Sequence, residues 1–133
     1  MAQDLLVNLS DVEKCATVEK IHNLIRDGTF GDDYTIIPRS KNRQLRKDYN
    51  IDDDKIKEIL LQLQTGDMIK AERSNHELHP NDIVYVFKKN CLLMPRWREE
   101  ADFTSVVLYI KITWPVENEG TYMLVISFHE DDI

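Results

Sequence analysis

Four polar side chains stand out because they occupy alternating positions in two apolar segments that are predicted to be strands. Tyr109 and Lys111 lie in TSVVLYIKIT, and Ser127 and His129 lie in TYMLVISFH. Alternate residues of a strand share one face of the sheet. An imidazole accepts or donates a proton near neutral pH, a phenol donates one, and an ammonium group neutralises phosphate. This combination could perform metal-free phosphoryl transfer in RNA, with a base on the ribose 2′-hydroxyl and an acid on the leaving 5′-oxygen. The alternative is that these side chains are only half-exposed packing residues, which is the more frequent role of a His or Tyr on a strand.

The segment between these strands is rich in turn residues, which predicts an antiparallel hairpin. A hairpin centred near Glu119 places Tyr109 directly opposite His129. Strict alternation then puts Met123 and Val125 on the polar face. It directs the following apolar residues toward the helices: Val106, Leu108, Ile110, Ile112, Tyr122, Leu124, Ile126 and Phe128.

Three helices are predicted before these strands. Ser10 or Asp11 caps the first helix, and Gly28 ends it. Ser40 caps a short basic helix, while Asp52 or Asp53 caps a third helix that ends at Gly66. A β-favouring run, 34–37, lies between the first two helices. The sequence therefore predicts a single α+β domain over residues 1–133, with N-terminal helices packed on a C-terminal antiparallel β-sheet.

Charge is distributed unevenly along the chain. The total of 17 Lys and Arg against 24 Asp and Glu gives a net charge of −7. This balance argues against general nucleic-acid binding, because affinity for phosphate comes largely from Lys and Arg. One segment is nevertheless basic, and it contains Arg39, Lys41, Arg43, Arg46 and Lys47. It is either a solvated helix face or a contact surface for a polyanion or an acidic partner.

Composition and motifs exclude several classes of protein. No apolar run reaches the length of a membrane helix, and the N-terminus lacks a signal-peptide pattern, so no membrane association is expected. Cys15 and Cys91 cannot form a disulfide framework, which favours a cytoplasmic location. The chain lacks a Gly-rich phosphate loop and an Asp-based metal motif, so we expect no cofactor and no metal.

Two further motifs allow alternative interpretations. His76 and His79 form a short pair, but no third ligand of suitable spacing accompanies them. Arg96, Trp97 and Arg98 either stack on a nucleic-acid base or dock on a protein partner.

The segment 40–72 also fits a helix, a turn, a second helix and a β wing, which is the pattern of a winged-helix DNA-binding regulator. Its second helix begins with Asp52, Asp53 and Asp54. Three carboxylates at that end would repel DNA phosphates, so this alternative ranks below the RNA hypothesis.

Several local patterns follow one another from Val18 to the C-terminus. They are TVEKIHNLIRDG, YNIDDDKIKEILLQL, the run from Asp67 to Lys70, LYIKIT and LVISFHED. This ordered set resembles the MqsR family of toxins, the mRNA-cleaving partners in bacterial toxin–antitoxin pairs. The final hairpin is the most specific part of the resemblance.

The resemblance implies a RelE-like fold and a metal-independent endoribonuclease that cleaves mRNA and is inhibited by a cognate antitoxin protein. By position, Lys70 and Tyr109 match the family's lysine and its sheet tyrosine, and His129 falls where the family has a catalytic lysine. Lys88 matches the basic residue that closes the middle strand, and Lys89 to Phe103 is an added loop.

We therefore expect three catalytic residues, Lys70, Tyr109 and His129. We expect substrate phosphate to be bound by Lys88, Lys111, Arg43 and Arg46. A non-catalytic interaction protein of the same fold is the main alternative.

Overall fold

The computed structural model describes residues 6–74, 81–96, 103–116 and 121–131. Within these residues the elements are β1 (Leu6–Val7), α1 (Asp11–Asp27), β2 (Tyr34–Ile36), α2 (Ser40–Asp48), α3 (Asp53–Leu61), β3 (Met68–Arg73), β4 (Ile83–Leu93), β5 (Thr104–Thr113) and β6 (Met123–Glu130). A 3₁₀ turn at Thr65–Asp67 leads into β3. The predicted combination of three helices with a sheet is confirmed. None of the helices in these ranges is long and apolar enough to cross a membrane.

The described strands form a six-stranded sheet in the order β1-β3-β4-β5-β6-β2. Neighbouring strands are antiparallel, as predicted, except that β2 runs parallel to β6. The segment Tyr34–Ile36 thus joins the last strand of the sheet, with Thr35 opposite Leu124. This pairing brings the start of α2, a few residues later in the chain, against β6.

The helix caps follow from side-chain chemistry at each start. Ser10 Oγ accepts a hydrogen bond from the Glu13 amide of α1, and Asp52 Oδ1 accepts one from the Lys55 amide of α3, as predicted. The prediction for α2 is wrong by one residue. Arg39 occupies the N-cap position and provides no side-chain hydrogen bond, and Ser40 is already helical.

The end of α3 also differs from the prediction. The helix stops at Leu61, with Gln62 as its C-cap. Gly66 therefore lies in the following 3₁₀ turn and does not end the helix.

The helices and one face of the sheet share a continuous apolar core. Ile21 and Ile25 of α1 are buried in it with side chains of α3 and of the central strands. Its fully buried members include Ile56, Ile59, Leu60, Phe87, Leu108, Ile110 and Phe128. The opposite face of the sheet carries the polar residues of β5 and β6.

A β-bulge in β6 changes which residues face this core. Lys111 pairs with Ser127 and Ile112 pairs with Val125, so Ile126 is an extra residue in β6. Met123, Val125 and Phe128 are consequently all buried in the core. The prediction that strict alternation places Met123 and Val125 on the polar face is wrong, because the bulge reverses the alternation within the strand.

The middle strand is longer than predicted. β4 continues through Lys89 to Leu93, so the prediction of a loop that begins at Lys89 and runs to Phe103 is wrong at its start. Residues 97–102 of that expected loop lie outside the described residues. β4 also pairs with β5 from Val84 to Leu93. The β3–β4 hairpin that would serve as a wing is therefore an integral part of the six-stranded sheet.

Candidate nucleic-acid cleft

Tyr109 and His129 lie side by side on the polar face of the sheet. They are directly opposite each other in the β5–β6 ladder, as the hairpin register predicts. Their ring centroids are 5.5 Å apart, with the ring planes inclined by 30°. Lys111, two residues from Tyr109 on the same face, has its Nζ atom 5.5 Å from the centroid of the phenol ring. The structure thus places a cation beside the phenol–imidazole pair.

The orientation of the His129 ring determines which nitrogen can react. Its Nδ1 atom lies 2.9 Å from the backbone carbonyl oxygen of Glu130. A carbonyl oxygen only accepts hydrogen bonds, so Nδ1 carries the proton and donates it. In the neutral ring, Nε2 then has a lone pair available to accept a proton from a substrate.

The start of α2 lies against β6 and is held there by one buried amide. Asn42 Nδ2 donates to the carbonyl oxygens of Ile37 at 2.8 Å and Ile126 at 3.0 Å. Asn42 Oδ1 accepts from the backbone N–H of Phe128 at 2.8 Å. Because Ile126 and Phe128 flank the bulge, Asn42 joins the first turn of α2 to the irregular part of β6.

These elements enclose a cleft of about 450 Å³ between the first turn of α2 and the polar face of β5 and β6. Its lining combines cations, amides, hydroxyls and the imidazole: Arg39, Lys41, Asn42, Tyr109, Lys111, Ser127, His129 and Asp131. Arg39, Lys41 and Lys111 make this lining cationic although the chain as a whole is acidic. We call it the α2–β6 cleft.

One carboxylate reaches the same cleft. Asp131 follows β6, and its backbone N–H donates to the carbonyl oxygen of Val107 at 2.8 Å. Its side chain forms an ion pair with Lys88, with 3.0 Å between Nζ and Oδ2. Lys88 is also opposite Tyr109 in the β4–β5 ladder. A residue expected to bind phosphate is therefore next to the cleft but engaged with an aspartate.

The other expected residues lie outside the α2–β6 cleft. Lys70 is on β3 and forms an ion pair with Glu72 at 3.5 Å. It is opposite Val86, which in turn is opposite Lys111, so β4 separates Lys70 from the cleft lysine. Arg43 is exposed on α2 and does not line the cleft. Of the expected residues, Tyr109, Lys111 and His129 are thus the ones that line the cleft.

Arg46 points toward α3. Its Nε donates to the carbonyl oxygen of Ile51 at 3.3 Å, and its Nη2 lies 3.4 Å from Asp53 Oδ1. These contacts connect the last turn of α2 to the first turn of α3. The structure gives Arg46 a role in joining two helices, away from the cleft.

The metal and thiol motifs contribute little to this region. The described residues contain no group of three or more His, Cys, Asp or Glu side chains able to hold a metal ion. His76, His79, Trp97 and Arg98 lie outside the described residues. Burial raises the pKa of the Cys91 thiol, which favours the unreactive protonated form.

Two groups of cleft residues were not among the expected site residues. Arg39 and Lys41 belong to the basic segment, and their position at the start of a helix is the signal that could have found them. Ser127 lies on the strand face of His129, as alternation predicts, and this position is the signal that could have found it. Asp131 lies beyond the end of β6, where strand periodicity gives no signal.

Comparison of this chain with protein-family models, with curated proteins and with solved structures finds no match in any of the three. The chemistry of the α2–β6 cleft is therefore the basis on which a function can be proposed.

Proposed function

We propose that this protein is a metal-independent endoribonuclease toxin with a RelE-like fold that cleaves mRNA and is neutralised by a cognate antitoxin protein. The observation that carries the proposal is the contact between Tyr109 and His129 on the floor of a cationic cleft. A ribonuclease of this class needs a base, an acid and cations around one phosphate, and these side chains supply all three.

The proposed reaction begins with the imidazole. His129 Nε2 accepts the proton of the ribose 2′-hydroxyl, and the 2′-oxygen forms a bond to phosphorus. The bond from phosphorus to the 5′-oxygen breaks, and Tyr109 donates its hydroxyl proton to that leaving oxygen. Arg39 and Lys111 neutralise the charge that develops on the phosphoryl oxygens. The products are a 2′,3′-cyclic phosphate and a 5′-hydroxyl, and exchange with water restores the two side chains.

The charge distribution limits how this protein would bind RNA. The cations of the cleft belong to a chain with a net charge of −7. Affinity would therefore come from a few local phosphate contacts and would fall steeply with added salt.

Cleavage of a defined RNA tests the proposal. We expect products with 2′,3′-cyclic phosphate ends, cleavage that persists in a chelator, and no cleavage where the 2′-hydroxyl is replaced by hydrogen. Replacing His129 by Ala should lower kcat/KM by about 10²–10⁴-fold, the usual contribution of a general acid or base. Expression of the wild-type chain should arrest growth, and His129→Ala should relieve the arrest.

Tyr109→Phe removes the proposed proton donor and keeps the ring. Tyr122→Phe is its matched control, because Tyr122 precedes β6 and is not in the cleft lining. Circular dichroism on each variant checks that the fold is retained. Undiminished cleavage by both His129→Ala and Tyr109→Phe would refute the site assignment.

A second candidate function is a non-catalytic interaction protein, and exposed apolar side chains favour it. Leu92 and Phe103 are 62% and 61% exposed, and Val107 is 42% exposed, near the end of β4 and the start of β5. Apolar groups gathered at one end of a sheet are typical of a protein-binding surface. This candidate predicts no RNA cleavage at any enzyme concentration and a stable protein complex that Leu92→Ser with Phe103→Ser abolishes.

A further inference from the structure

The first turn of α2 is chemically unlike the starts of α1 and α3. Its N-cap, Arg39, makes no side-chain hydrogen bond to the turn, and the turn contains no acidic residue. The N-terminus of a helix carries a partial positive charge and backbone N–H groups directed outward. At α2 these groups lie at the wall of the α2–β6 cleft.

A second and independent observation comes from the facing strand. Ser127 is only 6% exposed, and it lines the same cleft. No hydrogen bond is formed by its hydroxyl with the described residues, and this oxygen is not among their fully buried polar atoms, so it is accessible from the cleft. A hydroxyl that no described residue engages, on a side chain otherwise enclosed by the protein, is available to donate a hydrogen bond to a ligand in the cleft.

Two cations complete this corner of the cleft. Arg39 is exposed, and its guanidinium group forms no ion pair with the described residues. Lys111 is directly opposite Ser127 across the β5–β6 ladder. A guanidinium, an ammonium, a hydroxyl and the positive end of a helix therefore converge on one place, and each of them favours an oxyanion.

We propose that the first turn of α2, Arg39, Lys111 and Ser127 form a binding site for a single phosphate group. This inference deepens the proposed function, on which it rests for the identity of the ligand: the phosphate is one in the backbone of the bound RNA. The site lies beside the Tyr109–His129 pair, so it would hold the scissile phosphate or its immediate neighbour.

Titration of the full ¹⁵N-labelled chain with inorganic phosphate, at constant ionic strength maintained with chloride, tests the site without RNA. We expect saturable shifts of the backbone amide signals of residues 40–42 and 127. Arg39→Gln should weaken phosphate binding about tenfold, since it removes a charge-assisted hydrogen bond. Arg26→Gln, the same change in the last turn of α1, should leave the affinity unchanged.

Ser127→Ala distinguishes a role in phosphate binding from a role in stabilising the fold. It should weaken phosphate binding about threefold to fivefold, the effect of one neutral hydrogen bond. It should also leave the melting temperature unchanged, since the hydroxyl forms no hydrogen bond with the described residues that the substitution would break. Ser105→Ala is the matched control, because Ser105 is hydrogen-bonded to Asn90 at 2.6 Å and lies outside the cleft.

The outcomes separate this inference from the proposed function. Phosphate binding that is localised to the first turn of α2, in a protein that cleaves no RNA, supports the site and refutes the enzyme. RNA cleavage dependent on His129, with no saturable shifts or with unchanged affinity in both Arg39→Gln and Ser127→Ala, refutes the site alone.

Discussion

The helices α2 and α3 have the same length, nine residues each, and opposite chemistry at their starts. At α3, Asp52 caps the first turn, and Asp53 and Asp54 add negative charge to it. At α2, Arg39 offers no cap and the first turn contains no acid. The partial positive charge at the start of α3 is thus balanced by carboxylates of the same helix, whereas the start of α2 lies at the wall of the α2–β6 cleft.

This difference separates residues that stabilise the fold from residues available to a ligand. The carboxylates at the start of α3 are explained by capping and by the helix dipole, without any metal. The start of α2 has neither a capping side chain nor a carboxylate. The buried amide of Asn42 instead fixes the first turn of α2 against β6. Four substitutions, beginning with the largest expected effect, test this contrast.

Asn42→Ala should have the largest effect on stability. It removes the hydrogen bonds to the carbonyl oxygens of Ile37 and Ile126 and leaves the N–H of Phe128 without its partner, so we expect a loss of about 3 kcal/mol in the free energy of unfolding. The Ile37 carbonyl oxygen keeps its hydrogen bond from the Arg39 N–H. Urea denaturation measures this loss. Asn50→Ala, at an exposed position, should change stability by less than about 0.5 kcal/mol. A similarly small loss for Asn42→Ala would show that α2 is held by other contacts.

Asp52→Ala removes the cap of α3 and should lower the free energy of unfolding by about 1 kcal/mol. Asp52→Asn keeps an oxygen that can accept the Lys55 hydrogen bond, so its loss should be smaller. Thermal denaturation measures both losses. Neither variant should alter phosphate affinity, and a change there would mean that the start of α3 also contacts the ligand.

Arg39→Asp gives α2 the chemistry of α3. The new carboxylate can cap the first turn and interact favourably with the dipole, so we expect a gain of about 0.5–1 kcal/mol in stability. Phosphate affinity should fall by more than the tenfold expected for Arg39→Gln, because the substitution also introduces a repelling charge. If Arg39→Asp keeps its phosphate affinity, the start of α2 is not a phosphate site and does not differ from the start of α3 in this respect.

Arg46→Gln should have the smallest effect. Its ion pair with Asp53 is solvent-exposed on both sides, so we expect a loss of about 0.5 kcal/mol or less. Its phosphate affinity, measured by the same titration, should equal that of the wild type. A threefold or greater fall would instead support the role that the basic segment suggests for Arg46.

Regular periodicity in this chain predicts structure well, and irregularity accounts for most of the errors. The cap of α3 and the pairing of Tyr109 with His129 follow directly from residue type and spacing. The burial of Met123 and Val125 does not, because a single extra residue in β6 reverses the alternation. Side-chain preferences do not mark such a bulge in a run of apolar residues.

The sequence predicts the kinds of side chain in the candidate site, but only some of the residues that line it. Tyr109, Lys111 and His129 share a strand face that periodicity reveals. Lys70 has the right charge, but the strand order places it beyond β4 from Lys111. Arg39 and Ser127 meet because β2 pairs in parallel with the last strand, a long-range contact that local sequence does not encode.

The parallel pairing of β2 with β6 also constrains the order in which this protein can fold. The contacts of Asn42 with Ile126 and Phe128 join residues 84 and 86 positions apart. Closing so long a loop is entropically unfavourable, and contacts of this kind slow folding. The first turn of α2 therefore cannot pack against the sheet until β6 has been synthesised and has formed its bulge at Ile126. A nascent chain would acquire its cleft only after β6 has been synthesised, when the core residues of the helices and of β3 to β5 have already emerged.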